Sequence, residues 1–233
     1  MSIYNNNACA IGVAIPCFCD HVPLLLQLLY SIEAQTRLPD RVVVSCSSTV
    51  GSVQTPQYSF PLTIIVTEDK KNAAQNRNIA INHLMDMDYV TFMDADDIMH
   101  PQRLEIIANV LDYTGCDIVL HHFLTDLHVF ERIDHIAMRV NQLTQCMSGC
   151  IRHVDLYRYQ NERIHHAQST VSQRVLDAVR YPEEEEYYSK EDCVFCWRVL
   201  GLDFVTNAYI ANGLSFYKPS GTQVRDEKVG LSS

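Results

Sequence analysis

The sequence lacks an apolar run long enough to cross a bilayer, and it lacks an excess of basic residues. Its 18 lysine and arginine residues are outnumbered by 28 acidic residues, which gives a formal net charge of -10. Nucleic-acid binding requires a basic face, so this balance argues against a nucleic-acid partner. The N-terminal residues also lack the basic and long apolar segments of a secretory signal. We therefore expect a cytoplasmic protein without a transmembrane segment.

The sequence also lacks a complete set of cysteine and histidine ligands for a structural zinc site. Nine cysteines are scattered along the chain, and Cys193 and Cys196 form a CxxC motif. A structural zinc site needs four ligands, and neither a second CxxC motif nor a matched pair of histidines supplies the other two. We interpret the cysteines as reduced thiols, as expected in a cytosol-like compartment.

Short apolar runs alternate with helical repeats over the first half of the chain. The 233 residues are 47% hydrophobic, enough for one globular domain with a buried core. Because the runs are continuously apolar, both faces of each strand should be covered. The pattern predicts an α/β fold with a mostly parallel central sheet flanked by helices. The predicted strands are 9–18, 40–48, 62–69, 89–97 and 116–124, and the predicted helices are 22–36, 71–85 and 101–114.

The second half of the chain has a looser pattern. A polar loop and an amphipathic helix are predicted within residues 181–205, followed by a last strand. No linker or internal repeat interrupts the sequence. We therefore predict a single domain over residues 1–233, with a first half at about 8–124, a second half at 125–222 and a tail at 223–233.

Three carboxylates follow the predicted strand that starts at Tyr89. Asp94, Asp96 and Asp97 should repel one another if they are partly removed from water. A bound Mg²⁺ or Mn²⁺ would offset this repulsion, because such ions take carboxylate ligands and complete their shells with water and phosphate oxygens. The alternative is capping of the helix predicted near Pro101, which accounts for one carboxylate but not for three.

Five segments stand in order over about residues 10–220: VAIPCFCDHVPLLLQLLYSIEAQT, PDRVVVSCSST, NAAQNRNIAI, FMDADD and SKEDCVFCWR. Together they resemble the family 2 glycosyltransferases of the GT-A fold. They correspond to the family's opening strand and helix that ends in S-x-x-x-Q-T, its second strand, its ARN-x-G helix, its DxDD motif and its ED motif. The resemblance implies metal-dependent transfer of a sugar from a nucleoside diphosphate donor, foremost a UDP-sugar. The acceptor would be a hydroxyl of a glycan or another molecule, with inversion by direct displacement.

The resemblance also implies roles for individual residues. Asp192 of the ED pair would be the general base, and Asp96 and Asp97 would bind Mn²⁺ or Mg²⁺. The first half of the chain would bind the nucleotide sugar. The residues implied in donor binding are Pro16, Phe18, Ser45, Arg77, Asp94, Ala95 and Asp96. Weaker expectations place Glu191, His121 and Lys218 against the acceptor or the diphosphate.

The sequence around Asp192 has a second interpretation. Ser189 is predicted as an N-cap with Asp192 at the third helical position, where the helix dipole favours a negative charge. That position would keep a catalytic base ionised. The same spacing is also explained by helix capping alone.

Two positions depart from the family pattern. Ser45 or Cys46 stands where the family usually has an aspartate that reads uracil, so thymidine and guanosine donors stay open. Lys218 stands near the place of a histidine that often completes the metal shell. A charged lysine cannot ligate a metal, but it can bind a diphosphate directly.

Three other functions are compatible with acidic residues at the end of a strand. The first is a carbohydrate- or nucleotide-binding protein on the same fold that has lost catalysis, but the presence of Asp96 and Asp192 argues against it. A phosphotransferase that uses Asp94 as its nucleophile would usually have a glycine and a hydroxyl residue where Asp97 and Ile98 stand. A nucleotidyltransferase would need a glycine-rich phosphate loop, which the first strand–helix turn lacks.

Overall fold

A computed structural model describes residues 9–126, 129–145 and 163–217 of the chain. Within these ranges the strands are β1 (Ile11–Phe18), β2 (Arg41–Ser47), β3 (Leu62–Thr67), β4 (Tyr89–Phe92), β5 (Ile98–Met99), β6 (Ile118–Leu124), β7 (Met138–Val140), β8 (Thr170–Ser172) and β9 (Asn207–Phe216). The α-helices are α1 (Val22–Glu33), α2 (Ala73–Asn82), α3 (Arg103–Thr114), α4 (Gln173–Ala178) and α5 (Glu191–Leu200). The predicted tail at 223–233 lies outside the described residues.

The strands form one mixed sheet in the order β3-β2-β1-β4-β8-β6-β9-β5, and β7 pairs with β9. Four strands of the first half, β3, β2, β1 and β4, pair in parallel as predicted. Strand β8 runs antiparallel between β4 and β6, so the two halves of the chain share one sheet. Strands β5 and β7 pair antiparallel with β9, whereas β6 pairs parallel with it. The sequence did not indicate β5, β7 or β8, because runs of two or three residues show no period.

Helices cover both faces of the sheet, which explains the continuously apolar strands. Ile11, Val13 and Ile15 of β1 belong to the core that contains the apolar residues of α1 and α3. Ala14 between them belongs to the core of α2, α4 and α5 on the other face. The alternation follows from the two-residue period of a strand. Within the described residues, no helix has both the length and the apolar character needed to span a membrane.

Helix α2 begins at a capping box that fixes its position beside the sheet. The Asn72 side chain accepts from the Gln75 N–H, and the Gln75 side chain accepts from the Asn72 N–H. These two bonds satisfy backbone donors that have no partner inside the helix. The helix therefore starts two residues later than predicted, and its first turn faces the ends of β1 and β2.

Arg103, the first residue of α3, is fully buried inside the fold. Its guanidinium donates to four neutral acceptors on three segments of the chain: Thr91 Oγ1 at 3.0 Å, the Phe92 carbonyl at 3.3 Å, the Gln168 carbonyl at 2.9 Å and His121 Nε2 at 3.1 Å. Burial lowers the pKa of Arg103, and the nearby Asp97 carboxylate opposes this effect. Arg103 thus ties β4 and β6 to the segment before β8.

We predict that Arg103→Met lowers the free energy of unfolding by about 3–5 kcal/mol, because it leaves the buried Asp97 charge uncompensated. Urea denaturation followed by circular dichroism measures the change. Arg132→Met is the control, since Arg132 pairs with Asp134 on the surface with both side chains exposed. Equal midpoints for the two variants would contradict a framework role of Arg103.

Candidate active site

A cleft of about 290 Å³ lies beyond the carboxyl ends of β1 and β4. Ligands of open α/β sheets bind at this edge, because the strand ends and the helix N-termini meet there. The residues that line the cleft are Pro16, Cys17, Phe18, His21, Lys71, Ala73, Asn76, Arg77, Asp94, Ala95, Asp96, Glu191 and Tyr217.

Arg77 joins the two acidic motifs of the sequence within this cleft. Its side chain is 3% exposed, and its two terminal nitrogens donate to Glu191 Oε1 at 2.8 Å and to Asp94 Oδ1 at 2.7 Å. The guanidinium also lies 5.1 Å from the centre of the Tyr181 ring. Although burial disfavours the charge, Asp94, Tyr181 and Glu191 hold the pKa of Arg77 above its ordinary value. The arginine is therefore a fixed cation between the strand-end carboxylates and the start of α5.

Asp192 is the second residue of α5, which starts at Glu191. The prediction that Ser189 caps this helix is wrong: Ser189 has a left-handed backbone with a φ of 64°, and Lys190 occupies the N-cap position without a side-chain cap bond. Asp192 Oδ1 instead accepts from the Cys193 N–H at 2.7 Å. Capping by Ser189 therefore does not explain the SKED sequence.

The Asp192 carboxylate has an unusually high affinity for protons. Burial raises the pKa of Asp192 to about 6, with Arg77 opposing the rise and Glu191 adding to it. The group is still mostly ionised at pH 7, while it is a stronger base than an ordinary aspartate. A carboxylate tuned in this way suits proton abstraction near neutral pH.

The three clustered aspartates point to different places. Asp94 and Asp96 line the cleft, whereas Asp97 is 1% exposed and accepts from Gln168 Nε2 at 2.5 Å. Ligand atoms of Asp94, Asp97 and His165 lie within 4.8 Å of one another, and Asp96 does not belong to this group. Such carboxylate and imidazole donors fit a divalent cation.

The capping alternative for these aspartates is not supported. Helix α3 starts at Arg103, and its N-cap residue, Gln102, makes no side-chain cap bond. The carboxylate of Asp97 contacts the segment before β8 instead.

The nucleoside end of the cleft differs from the prediction in one respect. Pro16 and Phe18 line it, but Ser45 and Cys46 are fully buried. The Ser45 hydroxyl donates to Asn76 Oδ1 at 2.9 Å, and Cys46 Sγ lies 3.1 Å from the Thr49 hydroxyl oxygen. Ser45 therefore contacts Asn76, which lines the cleft, and is not itself among the lining residues.

The three residues expected less strongly to contact the acceptor or the diphosphate lie in different places. The expectation that His121 contacts an acceptor disagrees with its fully buried position, where Arg103 donates to its Nε2 and its Nδ1 lies 2.8 Å from the His122 carbonyl. Burial and Arg103 lower the pKa of His121 well below its ordinary value. Glu191 lines the cleft as the partner of Arg77. Lys218 lies outside the described residues.

Several residues of the site had no assigned role from the sequence. His21, Lys71, Asn76 and Tyr217 line the cleft, and His165 lies behind it. Asn76 had one available signal, since it directly precedes Arg77 in the helix motif. Of the others, His21 and Lys71 precede α1 and α2, Tyr217 follows β9 and His165 precedes β8, and only the folded chain brings these positions to one site.

Three comparisons with known proteins agree on the kind of molecule that this chain resembles. Residues 12–174 match the family model described as "Glycosyl transferase family 2". An "Uncharacterized glycosyltransferase" of Haemophilus influenzae is 32% identical over 93 residues, which are 39% of this chain and 30% of that protein. The chain thus aligns with less than a third of the length of this relative.

Crystal structures of S. aureus TarS share the fold of the chain. TarS 1-349 alone has a TM-score of 0.63 at 14% identity, with coverage of 90% of this chain and 60% of that one. Its complex with UDP has a TM-score of 0.64 at 15% identity, with coverage of 93% and 62%. The chain therefore spans under two thirds of the TarS fragment, and at this identity the likeness shows the fold alone.

We predict that Arg77→Gln raises the pKa of Asp192 above 6, because it removes the cation that opposes protonation of the carboxylate. A carboxyl ¹³C NMR titration of protein labelled at aspartate measures this pKa. Arg132→Gln, at an exposed surface pair, is the control and leaves the titration unchanged. An unchanged or lower pKa in Arg77→Gln would show that Arg77 does not act on Asp192.

Proposed function

Because the chain belongs to glycosyl transferase family 2, we propose that it transfers a sugar from a nucleoside diphosphate donor to an acceptor hydroxyl, with inversion at the anomeric carbon. One observation carries this proposal. Arg77 pairs with Asp94 at the strand end and with Glu191, the neighbour of Asp192, and Arg77, Asp94, Asp96 and Glu191 line one cleft. Direct displacement needs charge stabilisation for the leaving group and a base for the acceptor within one site, and this pairing brings the two acidic motifs together there.

The donor diphosphate would bind between the first turn of α2 and Asp96. The N–H groups of a helix N-terminus attract phosphate, and Lys71 adds a positive charge at the same place. A Mn²⁺ or Mg²⁺ ion at Asp96 would stabilise the negative charge that develops on the leaving diphosphate. Of the two carboxylates implied as metal ligands, Asp96 faces the cleft and Asp97 does not.

A UDP-sugar is the donor we propose. Its support is the likeness in fold to TarS, for which complexes with UDP and with UDP-GlcNAc are described. Since Ser45 and Cys46 are buried, the base would be recognised by the residues that line the nucleoside end, which include Pro16, Phe18 and His21.

Asp192 would remove the proton from the acceptor hydroxyl as the new glycosidic bond forms. Its raised pKa increases its strength as a base, and the Arg77 bridge fixes the first turn of the helix that carries it. Glu191 acts through Arg77, since its carboxylate is bound to the guanidinium.

We predict that UDP with Mn²⁺ raises the melting temperature more than dTDP, GDP or CDP does, and that Asp96→Asn abolishes the rise. A ligand at 100 times its dissociation constant stabilises the native state by about 2.7 kcal/mol. Differential scanning fluorimetry with Mn²⁺, Mg²⁺ or chelator measures the shift, and Asp134→Asn at an exposed surface position is the control. If no nucleotide shifts the wild-type protein, the donor site proposed here does not exist.

We also predict that Asp192→Asn lowers kcat by about 10²–10⁴-fold, because the amide cannot accept the proton. In the wild type, kcat/KM falls tenfold per pH unit below about pH 6, where the carboxylate becomes protonated. UDP release from a panel of UDP-sugars, with acceptors found by glycan screening, measures both. Asp203→Asn, at an exposed position after α5, is the control.

Two outcomes would count against this mechanism. Normal turnover in Asp192→Asn would exclude Asp192 as the base. Tight UDP binding without turnover of any UDP-sugar would favour a nucleotide-binding protein that has lost catalysis.

A further inference from the structure

His165 is a buried imidazole that faces the clustered aspartates from behind the cleft. It is 8% exposed, its Nε2 makes no hydrogen bond, and this nitrogen lies 3.5 Å from Asp97 Oδ2. A buried polar atom without a partner is unusual, since most such atoms are hydrogen-bonded or bind an ion or water. The position of Nε2 therefore indicates a ligand between the imidazole and the carboxylates.

We propose that Asp94, Asp97 and His165 form an inner divalent-cation site, separate from the position at Asp96 that faces the donor. The ligand atoms of the three residues lie within 4.8 Å of one another. Ligands about 2.1 Å from an ion lie at most about 4.2 Å apart, so small side-chain movements complete the site. The site goes beyond the proposed transferase function and does not require it.

The hydrogen bonds of the two carboxylates are compatible with a bound cation. Arg77 occupies Oδ1 of Asp94, and a carboxylate has a second oxygen that can ligate a metal. Gln168 donates to Oδ2 of the buried Asp97, and each carboxylate oxygen can accept more than one bond. Arg103 acts on Asp97, and both Arg103 and Arg77 act on His165, so a cation here would bind beside two arginines as well as the carboxylates.

Two aromatic rings pack against the His165 imidazole and restrict its movement. The Tyr217 ring lies 4.9 Å from the imidazole and the Phe123 ring 5.1 Å, both edge-on. Tyr217 also lines the cleft, so one side chain contacts both His165 and the space proposed for the donor. A cation there would fix the loop of Asp94–Asp97 against the segment that leads into β8.

The donor atoms indicate which ions would bind. An imidazole nitrogen suits transition metals, whereas Mg²⁺ prefers oxygen ligands and retains its water. The inner site should therefore take Mn²⁺, Co²⁺ or Zn²⁺ in preference to Mg²⁺.

The test uses metal-free protein and Mn²⁺ alone, with no nucleotide present. Free Mn²⁺ is counted by electron paramagnetic resonance, and electron spin-echo modulation detects a ¹⁴N nucleus bound to the ion. We expect wild type and Asp96→Asn each to bind one Mn²⁺ with ¹⁴N modulation. We expect His165→Gln to bind at least tenfold more weakly, while the matched control His166→Gln binds like wild type.

Each result that differs from these expectations leads to a different conclusion about the inner site. Equal binding by the two histidine variants, or no ¹⁴N modulation in wild type, would overturn the inner site and leave the cluster as a buried charge network. Loss of binding in Asp96→Asn would assign the ion to the donor site instead. If His165→Gln does not fold, as circular dichroism would show, the ¹⁴N signals of wild type and Asp96→Asn decide. The nucleotide panel with Asp96→Asn tests the proposed function separately.

Discussion

The bridge from Arg77 to Asp94 and Glu191 is the interaction on which the cleft depends. Five carboxylates belong to the two acidic motifs, and their repulsion would separate β4 from α5 without a cation between them. A planar guanidinium donates to the two carboxylates through two separate nitrogens in a fixed geometry, whereas a lysine would have to bridge them with one ammonium nitrogen. The partners of Arg77 lie 17 and 114 residues away along the chain. One side chain thus closes the site across both halves of the sheet.

Much of the first half of the fold was predictable, because its signals are local. Buried parallel strands are continuously apolar, helices repeat every three to four residues, and strand ends in such a sheet meet at one edge. The same reasoning brought Asp94 and Asp96 to that edge, beside Phe18. The placement of these aspartates needs no knowledge of distant contacts. Arg77 was assigned to the site by the family resemblance alone, and it lies in the early part of the helix that begins at the same strand ends.

The rest of the site depends on contacts between distant segments that no local pattern encodes. Gln168 reaches Asp97 across 71 residues, and β8, which follows it, is too short to show a strand period. Arg103 was placed in an ordinary amphipathic helix, where a charged residue is usually exposed, yet it is buried and determines the position of His121. Ser45 was expected to contact the nucleoside because it stands where the family usually has an aspartate, but its hydroxyl donates to Asn76 inside the protein.

The two buried arginines divide the charges of the site into two layers. Arg77 compensates Asp94 and Glu191 at the cleft, and Arg103 acts on Asp97 beneath it. Asp96 lies between Asp94 and Asp97 in the sequence and lines the cleft. Because arginines act on both of its acidic neighbours, part of the negative charge around Asp96 is opposed within the protein. The affinity of the cleft for a cation therefore depends on pairings that make no contact with the ligand.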